Sequence, residues 1–365
     1  MFVNKTRLPH VLSPGLYSCP QQYQCELSRL FEPAWHAVGS VNDLAHDGDF
    51  LTLELLGRPL LVRNFGGEIC AFLNACTHRH CLLTHETRGT SPTLVCQYHG
   101  WEYLKDGRTG HIPDAQSFKP LPGGPECLRK FRTETRGPLV FVSLNDDAPN
   151  LTDHLGRLLN VCDEFPAARW RQSDHWQYDF AANWKIPVEN TIESYHVPTV
   201  HPKTLVQFGT EEEITHEIYD RATVMKSPIA APEAYHRLAN WLLPLLEPGC
   251  SHQYRLYHGF PHLFLIRIDA LLQVMTVFPT SPETCRMTVH VFILRAAQEN
   301  SRSRLMTWGW GRFKTWIIRK VLSEDAPLYP DLHQGMKASP FRGTISTREE
   351  LVFAFQDYVR KGCEK

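Results

Sequence analysis

Two short stretches of the chain each pair a cysteine with a histidine: Cys76-Thr77-His78 and, after seventeen further residues, Cys96-Gln97-Tyr98-His99. Each therefore offers one thiolate and one imidazole. A [2Fe–2S] centre of mixed ligation needs that composition, because two thiolates hold one iron and two neutral imidazoles hold the other, which raises the reduction potential above that of an all-cysteine cluster. Turn-forming neighbours such as Gly100 let backbone N–H groups approach the sulfurs. The alternative is a Cys₂His₂ zinc site, but structural zinc sites usually pair Cys with Cys and His with His, a spacing absent here.

A second constellation lies further on. His196 and His201 are five residues apart, with Glu189, Asn190 and Glu193 just before them. On a regular helix such a pair diverges by about 140°. Pro198 changes this, since it ends or bends a helix after His196 and pushes Val197 out of the α region, so His201 can swing back. A bare His-x₄-His is not by itself a metal site. A carboxylate completes it, because two histidines and one carboxylate on one face of Fe(II) leave positions where O₂ and substrate can meet. Asp325 is the candidate, Glu324 the alternative ligand, and a solvated helix end the competing reading of both acids. Glu193, three residues before His196 on the expected helical face, can accept the ring N–H that a metal-bound imidazole leaves free; a surface salt bridge is its bland alternative.

C-T-H-R…C-Q-Y-H-G-W resembles the Rieske domains of ring-hydroxylating oxygenases, and N-W-K…E-N…E-S-Y-H-V-P-T-V-H-P is similar to the catalytic motif of the same family. The resemblance implies an α+β chain: an N-terminal all-β Rieske domain, then a helix-grip-like catalytic domain with an antiparallel sheet flanked by helices. It implies a [2Fe–2S] cluster on Cys76, His78, Cys96 and His99, a mononuclear Fe(II) on His196, His201 and Asp325, and Asn190 beside that iron. Glu193 would bridge His196 to His99 of a neighbouring subunit in a head-to-tail homotrimer, since within one chain of this family the two metals sit too far apart for fast transfer. Electrons would come from NAD(P)H through a reductase, with or without a ferredoxin.

Respiratory and photosynthetic Rieske proteins join an extra cysteine in each loop by a disulfide. Here Cys81 has no counterpart, because Tyr98 stands at the second place, so an oxygenase-type cluster is the better match and Cys81 is expected to be a buried thiol. Glu193, where most of the family has Asp, resembles the subset that oxidises quaternary amines. The length also resembles compact homotrimeric members such as carnitine and choline monooxygenases and glycine betaine demethylases. Both tilt the expectation toward monooxygenation or oxidative demethylation of a small substrate; cis-dihydroxylation of an aromatic ring by an alpha subunit is the alternative. Trp308, Trp310, Phe313 and Trp316 offer a cation–π wall for such a cation, or a core or subunit contact. Two other classes stay open: a Rieske electron-transfer protein without oxygenase activity, and a zinc-stabilised binding protein.

These groups need elements to position them. Tyr23, Leu27, Leu30 and Phe31 fall at helical spacing, which makes 1–34 a helical segment packing on the catalytic domain. From 35 to 146 the β-rich runs Leu60–Phe65, Ile69–Cys76, Thr93–Tyr98 and Pro138–Leu144 read as the Rieske domain. The polar break 145–150 precedes a helix-like stretch from Leu151 to Phe165, placing the boundary near Asp146 and the catalytic domain at 147–365. There His262–Ile268, Leu271–Phe278 and Cys285–Leu294 read as consecutive antiparallel strands, the last two joined by a turn at Pro279–Thr284. Ser346 and Glu349 have capping-box spacing, with Leu351, Phe355, Tyr358 and Val359 on one face of the helix that follows.

Composition excludes several partners. Lys+Arg number 38 against Asp+Glu 39, with no dense basic block, so neither nucleic acid nor an anionic membrane is expected. No apolar run is long enough to span a bilayer. The first fifteen residues carry no signal-peptide pattern, and eleven scattered cysteines suit a reducing compartment, so the cytoplasm is expected.

Overall fold

The computed structural model describes residues 3, 8–118, 126–205, 213–229, 231–246 and 253–364. Most of the first seven residues, where no targeting signal is expected, and 119–125 of the expected Rieske domain lie outside that set. The chain forms two compact units, one of Glu32–His154 and one that joins Met1–Phe31 to Leu155–Lys365. The boundary expected from sequence near Asp146 lies eight residues before the division at His154, and the one expected after residue 34 lies three residues past the division at Phe31.

Among its described residues the Glu32–His154 unit has nine short strands: β1 (Trp35–Ser40), β2 (Asp49–Leu55), β3 (Arg58–Phe65), β4 (Glu68–Leu73), β5 (Arg88–Thr90), β6 (Leu94–Val95), β7 (Glu102–Tyr103), β8 (Lys130–Arg136) and β9 (Leu139–Ser143). Seven of them form one sheet in the order β1-β9-β8-β4-β3-β2-β5, and β6 and β7 make a separate hairpin. Val- and Leu-rich β3 and β9 lie inside, with Leu60, Val62, Val140 and Val142 fully buried. The strand expected over Thr93–Tyr98 is only two residues long. From Cys96 the backbone folds back on itself, Gly100 N–H to Cys96 O at 3.0 Å and Cys96 N–H to Trp101 O at 2.9 Å. Gly100 has a φ of 73°, a conformation that favours glycine. Cys76 follows β4 and Cys96 follows β6, so two neighbouring loops carry the Cys/His pairs.

In the other unit, α1 (Pro20–Glu26) runs into a π-helical turn over Leu27–Phe31 that buries Leu30 and Phe31. The helix expected from Leu151 is two short helices broken at Gly156 with φ 52°, α2 (Leu151–Leu155), which ends the Glu32–His154 unit, and α3 (Arg157–Asp163), which belongs to this one. A seven-stranded antiparallel sheet follows: β10 (Trp170–Phe180), β11 (Thr215–Tyr219), β12 (Ala222–Pro228), β13 (Gln253–Gly259), β14 (Leu263–Ile268), β15 (Leu271–Ser281) and β16 (Thr284–Leu294). Its order, β10-β16-β15-β14-β13-β12-β11, is a meander closed by β10 against β16. The β15–β16 turn is tighter than expected, with only Pro282 and Glu283 outside the strands.

Helices α4 (Lys185–Thr191), α5 (Val197–Val200), α6 (Glu233–Leu246), α7 (Ser301–Asp325), α8 (Leu328–Ala338) and α9 (Glu350–Glu364) complete the unit. Along α7 the buried residues Thr307, Trp310, Gly311, Lys314, Ile318, Leu322 and Asp325 recur at three- and four-residue steps, one stripe turned inward. Before α9, Glu349 accepts the Ser346 N–H at 2.8 Å, as the capping spacing implies. Leu351, Phe355 and Val359 are then fully buried, and Phe355 meets Trp184 edge to face at 5.5 Å. No helix among the described residues is long and apolar enough to cross a membrane.

Candidate metal centres

In the β unit, the Cys76 and Cys96 thiols are each 2% exposed and adjacent, and the His78 and His99 rings lie 4.7 Å apart. Like donors are thus grouped with like, thiol beside thiol and imidazole beside imidazole. Burial pushes the Cys96 thiol up, while the N–H groups of Tyr98 and His99 donate to its sulfur and pull it down. Tyr103 Oη accepts the Thr77 N–H at 3.1 Å and lies 3.0 Å from Cys76 Sγ, so its own proton can go to a thiolate there. Burial and Cys76 push that phenol up to about 12, so it stays protonated at any ordinary pH.

The His78 ring stacks on Trp101 at 4.9 Å and meets the edge of Phe118 at 5.5 Å, which fixes its plane. Its Nδ1 is buried with no hydrogen-bond partner among the described residues. An orphaned imidazole nitrogen costs free energy unless something accepts its lone pair or proton. A buried pair of thiols and a ring nitrogen without a partner fit a mixed-ligation [2Fe–2S] cluster. Cys81 is half-buried rather than buried, because its loop runs along the surface; its carbonyl accepts the Cys76 N–H at 2.8 Å, and Tyr98 is 55% exposed.

In the other unit His196, His201 and Asp325 converge, with one potential ligand atom from each lying within 4.8 Å of the others. Asp325 Oδ1 is 3.0 Å from His201 Nε2 and 3.6 Å from His196 Nε2. The opposite ring nitrogens face carboxylates, His201 Nδ1 at 2.8 Å from Glu324 Oε2 and His196 Nδ1 on Glu193 Oε1. With each Nδ1–H donated to a carboxylate, each Nε2 keeps a lone pair and lies within 3.6 Å of a carboxylate oxygen that makes no hydrogen bond among the described residues. Three acceptors facing one another in a buried place repel, and a divalent cation between them removes the repulsion. The donor set fits Fe(II).

Two local readings of the sequence are corrected. Glu193 does not share a helical face with His196, because α4 ends at Thr191 and 192–196 form a turn. Its carboxylate closes that turn instead, accepting the N–H groups of Tyr195 and of His196, the latter at 3.3 Å. Pro198 does not end a helix either; as the second residue of α5 it begins one, where its missing N–H is not needed. That single turn carries His201 back beside His196, ring centroids 5.3 Å apart.

Asp325 is the last residue of α7 and is only 4% exposed, so it is not a solvated helix end. Glu324, the alternative ligand in sequence, lies on the far side of His201 from Asp325. Thr204 donates to it at 2.7 Å and Lys320 lies 3.3 Å away. Burial opposes its charge, but bonds from Thr204, His201 and Lys320 outweigh burial and hold the carboxyl below its usual range. Asn190 Nδ2 donates to Tyr329 Oη at 3.4 Å beside the three converging side chains.

A cavity of about 630 Å³ opens from this cluster and is lined chiefly by aliphatic groups, among them Met225, Ile266, Met275, Ile318, Val321 and Leu322. Of the four aromatics singled out in sequence, Phe313 and Trp316 line it, Trp308 is 59% exposed, and Trp310 is buried against the lining residues Tyr235 and Phe313. They form no common wall. The sequence reading missed Tyr103 and the cavity group Tyr235, Gln273 and Lys314. A lysine on the inward stripe of a helix was the one available signal.

Comparison with known proteins follows this division. Residues 34–131 match the Rieske [2Fe–2S] domain, and 167–365, more than half the chain, match the catalytic domain of ring-hydroxylating alpha subunits. The glycine betaine monooxygenase oxygenase subunit of Chromohalobacter salexigens is 30% identical over 54% of this chain and 44% of its own length. This chain thus spans about half the length of that relative. The carnitine monooxygenase oxygenase subunit of Escherichia coli K12 is 24% identical over 90% of this chain and 84% of its own. The alpha subunit of 2-aminobenzenesulfonate 2,3-dioxygenase from an Alcaligenes species is 26% identical over 86% and 83%. A solved quaternary ammonium Rieske monooxygenase shares the fold, with a TM-score of 0.79 at 18% identity over 97% of this chain and 95% of that one.

Proposed function

Because the chain belongs to the family of ring-hydroxylating alpha subunits, we propose that it is the terminal oxygenase of a Rieske non-haem iron system. It would use O₂ and electrons from an NAD(P)H-dependent reductase, directly or through a ferredoxin, to hydroxylate or oxidatively demethylate an organic substrate. The observation that carries this reading is the convergence of His196, His201 and Asp325 at the end of an apolar cavity, in a chain that also groups Cys76 with Cys96 and His78 with His99.

When bound, Fe(II) on two imidazoles and one carboxylate supplies O₂ activation at the positions those ligands leave open. The protein's share is positioning. Glu193 and Glu324 each hold one Nδ1–H, fixing the tautomer and plane of His196 and His201. The aliphatic walls keep water from the reacting end and orient the substrate. Electrons reaching the His78/His99 edge of one subunit would pass to the Glu193 side of a neighbour, which makes a homotrimer part of the proposal. A reducing cytoplasm suits the many free thiols.

Glu193 at the bridging place supports a second reading, monooxygenation of a quaternary ammonium compound, the class named for two of the relatives. The test is a screen of arenes, betaines, carnitine and aliphatic acids on the holoenzyme with a surrogate reductase and NADH. The expected result is substrate-dependent O₂ consumption with formaldehyde, an alcohol or a diol as product. Rapid passage of electrons to soluble acceptors, with no substrate-dependent O₂ uptake and no mononuclear iron, would instead make the chain an electron carrier.

A further inference from the structure

At the end of the cavity away from the metal ligands, the ammonium of Lys314 donates to Tyr235 Oη at 2.8 Å and lies 3.4 Å from Asp269 Oδ2. Lys314 and Tyr235 line the cavity, while Asp269, in the β14–β15 turn, stands behind them and is not part of its wall. The cation thus stands between a residue of the wall, Tyr235, and a counter-charge outside the wall, Asp269. An ammonium has three donors, and among the described residues Lys314 uses two of them on oxygen acceptors, leaving one N–H for a further acceptor.

Lys314 and Asp325 are eleven residues apart on α7, about three turns, so they project from the same face about 16 Å apart along the axis. The aliphatic side chains of Ile318, Val321 and Leu322 lie between them. The carboxylates of the described lining, Glu193 and Asp325, are both engaged with the histidines at the other end. A divalent iron there, with one carboxylate ligand and neutral imidazoles, adds positive charge. Among the described lining residues no carboxylate lies at the Lys314 end, and a buried ammonium binds an anionic acceptor more strongly than a neutral one.

We propose that this cavity selects an elongated substrate with an aliphatic body and a carboxylate terminus, the carboxylate held by Lys314 and the opposite end presented at His196, His201 and Asp325. The proposal rests on the oxygenase reading for its reacting end, but the anchor is tested by binding alone. In anaerobic calorimetry on the holoenzyme, butanoate, hexanoate, octanoate and decanoate are compared with the n-alkanols of equal length.

Affinity is expected to rise with chain length, with octanoate and decanoate at least about tenfold tighter than the matching alcohols. Lys314→Gln combined with Asp269→Asn, which removes both charges together, is expected to abolish that preference and leave alkanol binding in place. Equal affinity for acids and alcohols, no dependence on length, no binding of either series, or a preference that survives in a folded double variant would each overturn the proposal. If the double variant does not fold, the wild-type series alone decides. A correct iron content with no acid preference removes the anchor and leaves the oxygenase reading standing.

Discussion

Oδ1 of Asp325 stands 3.0 Å from Nε2 of His201, although neither atom brings a proton to the contact once Glu324 has taken the one on Nδ1. Such an arrangement is stable when a cation lies between the acceptors, and the second carboxylate behind the ring then raises its basicity as a ligand. The other histidine repeats the pattern with Glu193.

Glu324 should therefore matter to iron affinity without touching the iron. Glu324→Gln is expected to weaken mononuclear iron binding by about 10–100-fold, with the visible spectrum of the cluster unchanged. Titration of iron into metal-depleted protein, read as recovered turnover and as metal bound, checks it. Direct ligation would instead produce a complete loss.

Glu193 holds the other ring and faces the proposed partner. Glu193→Gln, with its mononuclear site filled from excess Fe(II), should keep the cluster but slow its reoxidation about 100-fold in a single turnover with substrate and O₂. Glu193→Asp is expected to recover part of the rate. Stopped-flow absorbance of the cluster measures both.

Tyr103 Oη lies 3.0 Å from Cys76 Sγ and can donate to a thiolate there, and such bonds stabilise the reduced, more negative state of a cluster. Tyr103→Phe should lower the midpoint potential while leaving iron and sulfide content intact. Protein-film voltammetry reads the shift; an unchanged or higher potential would show that the hydroxyl is turned away from Cys76.

Glu189, behind Asn190, is buried against Tyr17 and Gln356, and burial pushes its carboxyl up to about 7 from an ordinary 4.5. A raised acid binds its proton more tightly when folded, so its contribution to stability is complete below pH 4.5 and is lost as pH rises toward 7, by up to about 3 kcal/mol. Glu189→Gln keeps an acceptor for Tyr17 and Gln356 but cannot ionise. The variant's melting temperature should match or trail the wild type at pH 4.5 and exceed it at pH 8, as calorimetry at both pH values would record.

Short-range patterns made much of this legible from sequence. The two Cys/His pairs and the His196–His201 segment are local, and the three-strand meander could be read because alternating apolar residues mark each strand. What escaped the sequence depends on contacts between distant segments. The Glu324–His201 pair and the Tyr103–Cys76 pair each join loops or helix ends that only the fold brings together. The turn at 192–196 reads as helix in the sequence because a three-residue spacing suits both, and the carboxylate that closes it is a turn-forming device as well as a partner for the ring. The cavity walls come from the 190–205 segment, α6, α7 and four strands, and each strand contributes only one or two inward residues, so no single stretch announces them.

Metal and sulfide analysis of the anaerobically isolated protein, run beside Asp325→Ala and Cys96→Ser, bears most directly on the claim that one chain holds two separate iron centres. The account predicts about three iron and two sulfide per chain, about two iron with sulfide unchanged in Asp325→Ala, and about one iron with sulfide lost in Cys96→Ser. A colourless protein carrying zinc, or an Asp325→Ala variant that keeps all of its iron, would contradict it.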